Sequence, residues 1–366
     1  MSGGVDSSVA AGLLARRGYE VIGLTMQIWQ ESQTDPRHAG CCSLGAVEDA
    51  RRVARTLGIP HYVFNFREEF REAVIRDFED EYARGRTPNP CVQCNGRLKF
   101  DLLLHKAEEL GCTRMATGHY ARIRRFESGY RLMRARGTDK DQSYVLYMLN
   151  QHQLAKSWFP LGEMASKAET RSMAAEMGLG VAEKPDSQEI CFVSEAGGYR
   201  EFLRSRRPEA FSEGEIVDRA GRVLARHGGL PDFTIGQRRG IGTGGGDGSP
   251  LYVLSMDGDS NRVTVGSERD LYASEVALEE MRWHRDVPEE GLRVEAKIRY
   301  NMRPEAARLM AGSTPRLVFE RAVRAVTPGQ IAVAYVGKTV VAGGVIRGAK
   351  CEETVNRPGV SPVAAR

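Results

Sequence analysis

Ser2-Gly3-Gly4-Val5-Asp6-Ser7-Ser8 (SGGVDSS) stands at the head of the chain and runs straight into an apolar helical pattern. Val9, Ala10, Leu13 and Leu14 recur at helical spacing, and Gly18 marks a stop. Two glycines let the backbone approach a ligand closely and adopt positive φ. Serine hydroxyls at a helix start add to outward-pointing amides and a dipole that favours anions. The loop lacks the G-K-[ST] ending of a Walker loop. Its bland alternative is a glycine–serine cap with no ligand.

Working outward, Val21 to Met26 reads as a buried strand, residues 46–57 as a helix, and His61 to Asn65 as a strand. A long charged helix follows to about Arg84, then a helix at about 96–110 and a strand at Arg114 to Thr117. Strand and helix in this rhythm predict a parallel sheet covered by helices, with ligands beyond the strand ends. An apolar run after Tyr144 (Val145, Leu146, Met148, Leu149) reads as a helix behind a polar turn. From about residue 206 glycine-rich turns separate short runs, and from about 272 short alternating strands dominate. The predicted organisation is an α/β domain over 1–205, a small β-rich central domain over 206–271, a C-terminal β-barrel over 272–352 and a disordered tail over 353–366.

The 366 residues are 41% hydrophobic and 27% charged, with a net charge of +4. That is the balance of a soluble globular chain, mildly basic and compatible with a nucleic-acid partner. No run of eighteen apolar residues predicts a membrane span and no secretory signal is visible, so a cytoplasmic protein with no membrane partner is expected. The seven cysteines are Cys41, Cys42, Cys91, Cys94, Cys112, Cys191 and Cys351. An odd number in a large chain argues against a disulfide framework. Cys91-Val92-Gln93-Cys94 lies between a proline-rich turn and a helix, with Cys94 at the expected helix start, where the dipole favours thiolate. By itself a CxxC is half a zinc site, a redox pair, or a nucleophile with a neighbour. Cys191, between Ile190 and Phe192, reads alone as a core thiol. Cys112 and Cys351 read as structural. Asp139 to Tyr144 (DKDQSY) reads from spacing as a solvated turn.

The loop resembles the PP-loop of ATP pyrophosphatases, and the chain as a whole is similar to the tRNA-specific 2-thiouridylase family. The resemblance is carried in order by SGGVDSS, LTMQIW (24–29), DARRVARTLGIPHYVFNF (49–66), TPNPCVQCNGRLKF (87–100), ATGHYAR (116–122), DKDQSYVLYML (139–149), SQEICFV (187–193), FTIGQRRGIG (233–242), KIRYN (297–301) and VTPGQIAVAY (326–335). It implies an adenine nucleotide alpha hydrolase-like fold for the first domain. It also implies an enzyme that adenylates the C2 oxygen of the tRNA wobble uridine with ATP and Mg2+, then replaces that oxygen with sulfur. Cys191 then carries a persulfide supplied by a sulfur-donor protein or relay. Cys94 is the nucleophile that releases the sulfur, leaving a Cys94–Cys191 disulfide, and Arg97 and Lys99 would raise its thiolate fraction.

The same resemblance gives ATP binding to Ser2, Gly3, Gly4, Val5, Asp6, Ser7 and Ser8, with Met26 and Gly118 near the adenosine; Asp6 is also expected to serve catalysis. Asn89, Pro90 and Cys91 match the segment touching the target base. His119, Lys140, Asp141, Gln142, Arg299, Tyr300 and Gln330 match tRNA-contacting positions.

Two departures carry their own expectations. Many family members have Asp where this chain has Cys91. Cys91, Cys94 and Cys191 could therefore be three ligands of a [4Fe-4S] cluster with one open iron, an alternative sulfur route. Members also have a short apolar strand before the loop. Its absence leads to the expectation that the native start lies upstream of Met1 or that the chain is shortened, with weakened ATP binding. The rival functions are another PP-loop adenylating ligase and a non-catalytic RNA-binding protein.

Overall fold

The helix behind the opening loop forms as α1, Val5–Arg16. Its buried face, with Val5, Val9 and Leu14, packs among Val53, Leu161, Ala174 and Leu179. The computed structural model describes residues 1–29, 44–137, 140–186, 190–193, 196–242, 244 and 248–351. Cys41, Cys42, Asp139 and the tail assigned to 353–366 lie outside them.

Strand β1 (Gly23–Gln27) pairs in parallel with β2 (His61–Asn65), Gly23 opposite His61 and Gln27 opposite Asn65. Helix α2 (Leu44–Leu57) is the crossover between them. Parallel neighbours need such a connection. A second parallel pair joins β3 (Met115–Ala116) to β6 (Ser157–Trp158). Met1 lies on the far side of β1: its ammonium donates to the Leu24 carbonyl, and Thr25 Oγ1 donates to the Met1 carbonyl at 2.7 Å. Among the described residues no strand precedes the loop.

The long charged helix spans 67–83, with one widened turn at Arg71–Ile75. The next helical segment starts earlier than expected. Asn89 caps it, Pro90 takes its first position, and winding widens over Cys94–Leu103 before the helix runs on to Glu109. Cys91 therefore sits in the first turn and Cys94 a full turn inside, which corrects the expectation of Cys94 at the helix start. Proline with its fixed φ and no amide hydrogen is suited to the first helical position, so the helix begins there.

The expected helix after Tyr144 is instead a short 3₁₀ turn, Ser143–Leu146. Tyr144 and Leu146 are fully buried in it. Tyr144 Oη donates to the Ile331 carbonyl of the barrel at 2.6 Å. Ser143 and Tyr144, at the end of the polar turn read as solvated, are thus packed in a seam against the barrel.

The central domain is a four-stranded sheet of β7 (Gly214–Val217), β8 (Val223–His227), β9 (Tyr252–Asp257) and β10 (Arg262–Gly266), in the order β8-β7-β10-β9. The C-terminal domain contains β11 (Tyr272–Trp283), β12 (Leu292–Lys297), β13 (Glu305–Met310), β14 (Arg316–Arg324), β15 (Ile331–Val336) and β16 (Thr339–Cys351). They run in the order β11-β14-β13-β12-β15-β16, and pairing of β11 with β16 closes the barrel. Closure removes both sheet edges. Alternate residues such as Val276, Ala296, Leu309, Leu317 and Val341 fill its interior.

A hairpin of the first domain, β4 (Ala121–Phe126) and β5 (Gly129–Arg134), is added to the barrel sheet where Met133 pairs with Thr339. The Arg134 amide donates to the Lys338 carbonyl at 2.7 Å. The division at 205 and 272 therefore describes the order of sequence blocks, while the hydrogen-bonded sheet crosses it.

Candidate active site

Gly3 has φ +65°, and a β-carbon on it would run into the Ala46 carbonyl at the start of α2. Only glycine fits there. Gly4 is the N-cap of α1 and has no side chain with which to cap it. The first amides of α1 therefore face outward, as an anion site requires. The two serines stiffen the turn. Ser7 Oγ accepts from the Ser2 amide at 3.0 Å, and buried Ser8 donates to the Gly4 carbonyl at 2.8 Å. Gly118, two residues past β3, presses on the loop: a β-carbon there would lie 2.6 Å from the Asp6 carbonyl carbon and the Ser7 nitrogen. Met26, buried on β1, belongs to the neighbouring apolar core.

Asp6 is held from two sides. Tyr120 Oη donates to Oδ1 at 2.8 Å, and Lys167 Nζ lies 2.7 Å from both carboxylate oxygens. Lys167 also reaches Asp186 Oδ1 at 2.9 Å. Lys140 and Arg171 converge on that carboxylate at 3.2 and 3.3 Å. Burial alone would push the Asp186 carboxyl up, but Lys167 and Lys140 outweigh it and hold it below the usual range. Lys184 Nζ donates to the Gly3 carbonyl at 3.1 Å and to Asp49 Oδ2 at 2.6 Å. Four cations thus stand within one network behind a loop built for anions. Of them, sequence reasoning singled out only Lys140. Lys167, Arg171 and Lys184 lie far along the chain, with no motif of their own beyond the position of Lys184 and Asp186 just ahead of SQEIC.

Cys94 and Cys191 both pack on the same apolar cluster. Phe192 fixes the Cys191 segment. Its ring is 1% exposed and lies 5.0–5.6 Å from those of Phe70, Phe78 and Phe202. Cys91 is exposed and Cys94 half-buried. Arg97 Nε donates to Gln93 at 3.3 Å, and Lys99 Nζ to Asn95 at 2.8 Å. Asn89 accepts from the Val92 amide at 3.3 Å as the helix cap. Among the described residues no three Cys, His, Asp or Glu side chains converge as metal ligands.

The residues matched to RNA contacts fall into two groups. Lys140 and Tyr300 keep substantial exposure, 43% and 39%, even though Lys140 also pairs with Asp186. Tyr300 lies near Asp141 and Cys91; burial first, then these two groups, pushes its hydroxyl up. The others have internal bonds. Asp141 accepts from the Ala135 and Ser143 amides at 3.0 and 3.2 Å. Gln142 accepts from the Tyr120 amide at 3.0 Å, and Arg299 donates to the Arg324 carbonyl at 2.7 Å. The His119 ring sits between Phe100 and Phe159, its Nδ1 2.7 Å from Thr117 Oγ1. Burial and then the Lys99 charge hold its pKa well below the ordinary value. Gln330 faces the Thr87-Pro88 backbone.

A glycine-tight anion loop on a parallel α/β unit, followed by two β domains, defines a nucleotide-binding enzyme of the PP-loop class. Residues 1–195 match the family model described as tRNA methyl transferase HUP domain. Residues 200–267 match the corresponding PRC-barrel domain, and 273–346 the aminomethyltransferase beta-barrel domain. The chain is 49% identical over 355 residues to the tRNA-specific 2-thiouridylase MnmA of Moorella thermoacetica, covering 94% of this chain and 98% of the relative. It is 48% identical over 359 residues to that of Geobacter metallireducens, covering 96% of each. The protein of the same name from Clostridioides difficile is 47% identical over 351 residues, covering 94% of this chain and 96% of the relative. The chain belongs to the tRNA-specific 2-thiouridylase family.

Proposed function

We propose that this chain thiolates the wobble uridine of tRNA at C2, using ATP and a persulfide carried on Cys191. The observation that carries the reading is the pairing of a preformed anion loop, Gly3 to Ser8, with Cys94 and Cys191 on one apolar cluster. The outward amides of α1 would hold the pyrophosphate end of ATP, and Lys167 and Lys184 add positive charge behind them. Mg2+ would accompany the nucleotide and neutralise phosphate charge. A uridine in an anticodon loop is unstacked more cheaply than one in a duplex, so it can reach a pocket near Asn89, Pro90 and Cys91.

Attack of the uridine C2 oxygen on the α-phosphate releases pyrophosphate and leaves an adenylated carbon. The terminal persulfide sulfur then bonds to C2 and AMP departs. Cys94 thiolate attacks the Cys191 sulfur, the S–S bond of the persulfide breaks, and a Cys94–Cys191 disulfide remains. An external thiol reduces that disulfide, and a sulfur-donor protein reloads Cys191. Lys140, Tyr300 and neighbouring basic groups would meet the RNA.

The test is thiolation of tRNA with ATP, Mg2+ and a sulfur donor, read by nucleoside mass spectrometry. Cys94→Ser and Cys191→Ser are each expected to abolish 2-thiouridine; near-normal product from either overturns the sulfur route. Cys91→Asp is expected to stay active, whereas its inactivity, with visible absorbance in the anaerobic parent, would favour iron–sulfur delivery.

A further inference from the structure

The turn Thr87-Pro88-Asn89-Pro90, ahead of the cysteine helix, is held from the barrel. The Thr87 amide donates to the Pro328 carbonyl at 2.9 Å. Gln330 Nε2 donates to the carbonyls of Thr87 and Pro88 at 2.9 and 3.2 Å. Gly329, between these two barrel residues, has φ +86°, and a β-carbon on it would lie 3.0 Å from Thr87 nitrogen and oxygen. Alongside, Arg86 bridges Glu81 of the first domain and Glu279 on β11, each at 2.6 Å. The Asn89 cap and Pro90 follow at once, so the tethered carbonyls fix where the helix begins. Cys91 and Cys94 ride on that helix. The Gln330 amide nitrogen thus gives both of these bonds to backbone carbonyls of the turn.

We propose that Gln330 is a positioning residue for the sulfur-transfer cysteines: through it the barrel sets the start of the Cys91–Cys94 helix. The inference rests on the thiolation reading. Gln330→Ala removes the clasp, and Gln330→Glu keeps its size while setting a carboxylate against two carbonyl oxygens. The full-length variants are compared with the parent in kcat and KM for tRNA, in tRNA Kd by filter binding, and in Cys94 alkylation rate by iodoacetamide, measured reduced and without tRNA.

In both variants kcat is expected to fall about tenfold or more, since small misplacements of reacting groups carry such factors. The tRNA Kd is expected to stay within about twofold, and Cys94 alkylation to change. A weaker Kd with parental kcat and alkylation makes Gln330 an RNA ligand and overturns the proposal, as do parental values throughout. Should Gln330→Ala fail to fold, Gln330→Asn, with its amide one methylene short, takes its place under the same criteria. An inactive parent fails the thiolation reading instead, and the alkylation rates then still test the clasp.

Discussion

Lys167 is 14% exposed and gives one ammonium to two carboxylates, Asp6 in the loop and Asp186 at the root of the Cys191 segment. Removing it leaves both short of their nearest cation. Lys167→Ala is expected to lower stability by about 1–3 kcal/mol, the scale of a lost charged hydrogen bond, and to raise the KM for ATP several-fold. Lys167→Arg should recover part of both. Urea denaturation and initial rates against ATP measure this; parental values in the alanine variant would refute the role. The loop itself was legible because SGGVDSS is contiguous and glycine-dependent. Its supporting cations were not. Lys167 and Lys184 meet Asp6 and Gly3 only after folding, with Arg171 joining through Asp186, and on the sequence all three are ordinary helix and loop charges.

Helix α2 announced itself by sustained 3.6-residue periodicity, and α1 by its apolar run between the glycine–serine start and the Gly18 stop. The 3₁₀ turn at Ser143–Leu146 did not, because a few apolar residues in a row look alike in a short turn and in a helix's first turn. The described residues around Cys191, 190–193, form only a turn, and Phe192 anchors it in the aromatic cluster. Phe192→Ala is expected to cost about 3–5 kcal/mol through lost burial and a residual cavity. It should also cut thiolation by more than the unfolded fraction accounts for, since Cys191 loses its anchor. Activity per folded molecule, from chemical denaturation and rate measurements on the same sample, decides; a parental value would show that Phe192 serves stability alone.

Across the whole molecule, His61, His119, His227 and His284 all have lowered pKa values, with burial the largest cause in each. His227 shows why one neutral form fits. Its Nδ1 accepts from the Gly229 amide at 3.1 Å, so Nε2 carries the hydrogen donated to the Asn261 carbonyl at 3.2 Å. The sign follows from linkage. Above the unfolded value of about 6.5 the contribution is fully present. As pH falls from there toward the folded-state values, the unfolded chain takes up protons that the native rings refuse, and stability is lost. The melting temperature is expected to decline from pH 7 to pH 5. An unchanged melting temperature over that range would show that the rings protonate without cost. The three-block order of the chain was readable from the change in periodicity near 206 and 272. The β4–β5 hairpin was hidden because it carries arginines on both strands and its partner strand lies some two hundred residues away.

That pairing governs how the protein comes into being on the ribosome. Met133 waits for Thr339, and Tyr144 waits for Ile331. Synthesis at roughly 5–20 residues per second puts a delay of about 10–40 s between the two halves of this seam. Throughout that interval the β5 edge and the surface around Tyr144 in the nascent first half still lack their partners. The last strands to emerge complete the first domain.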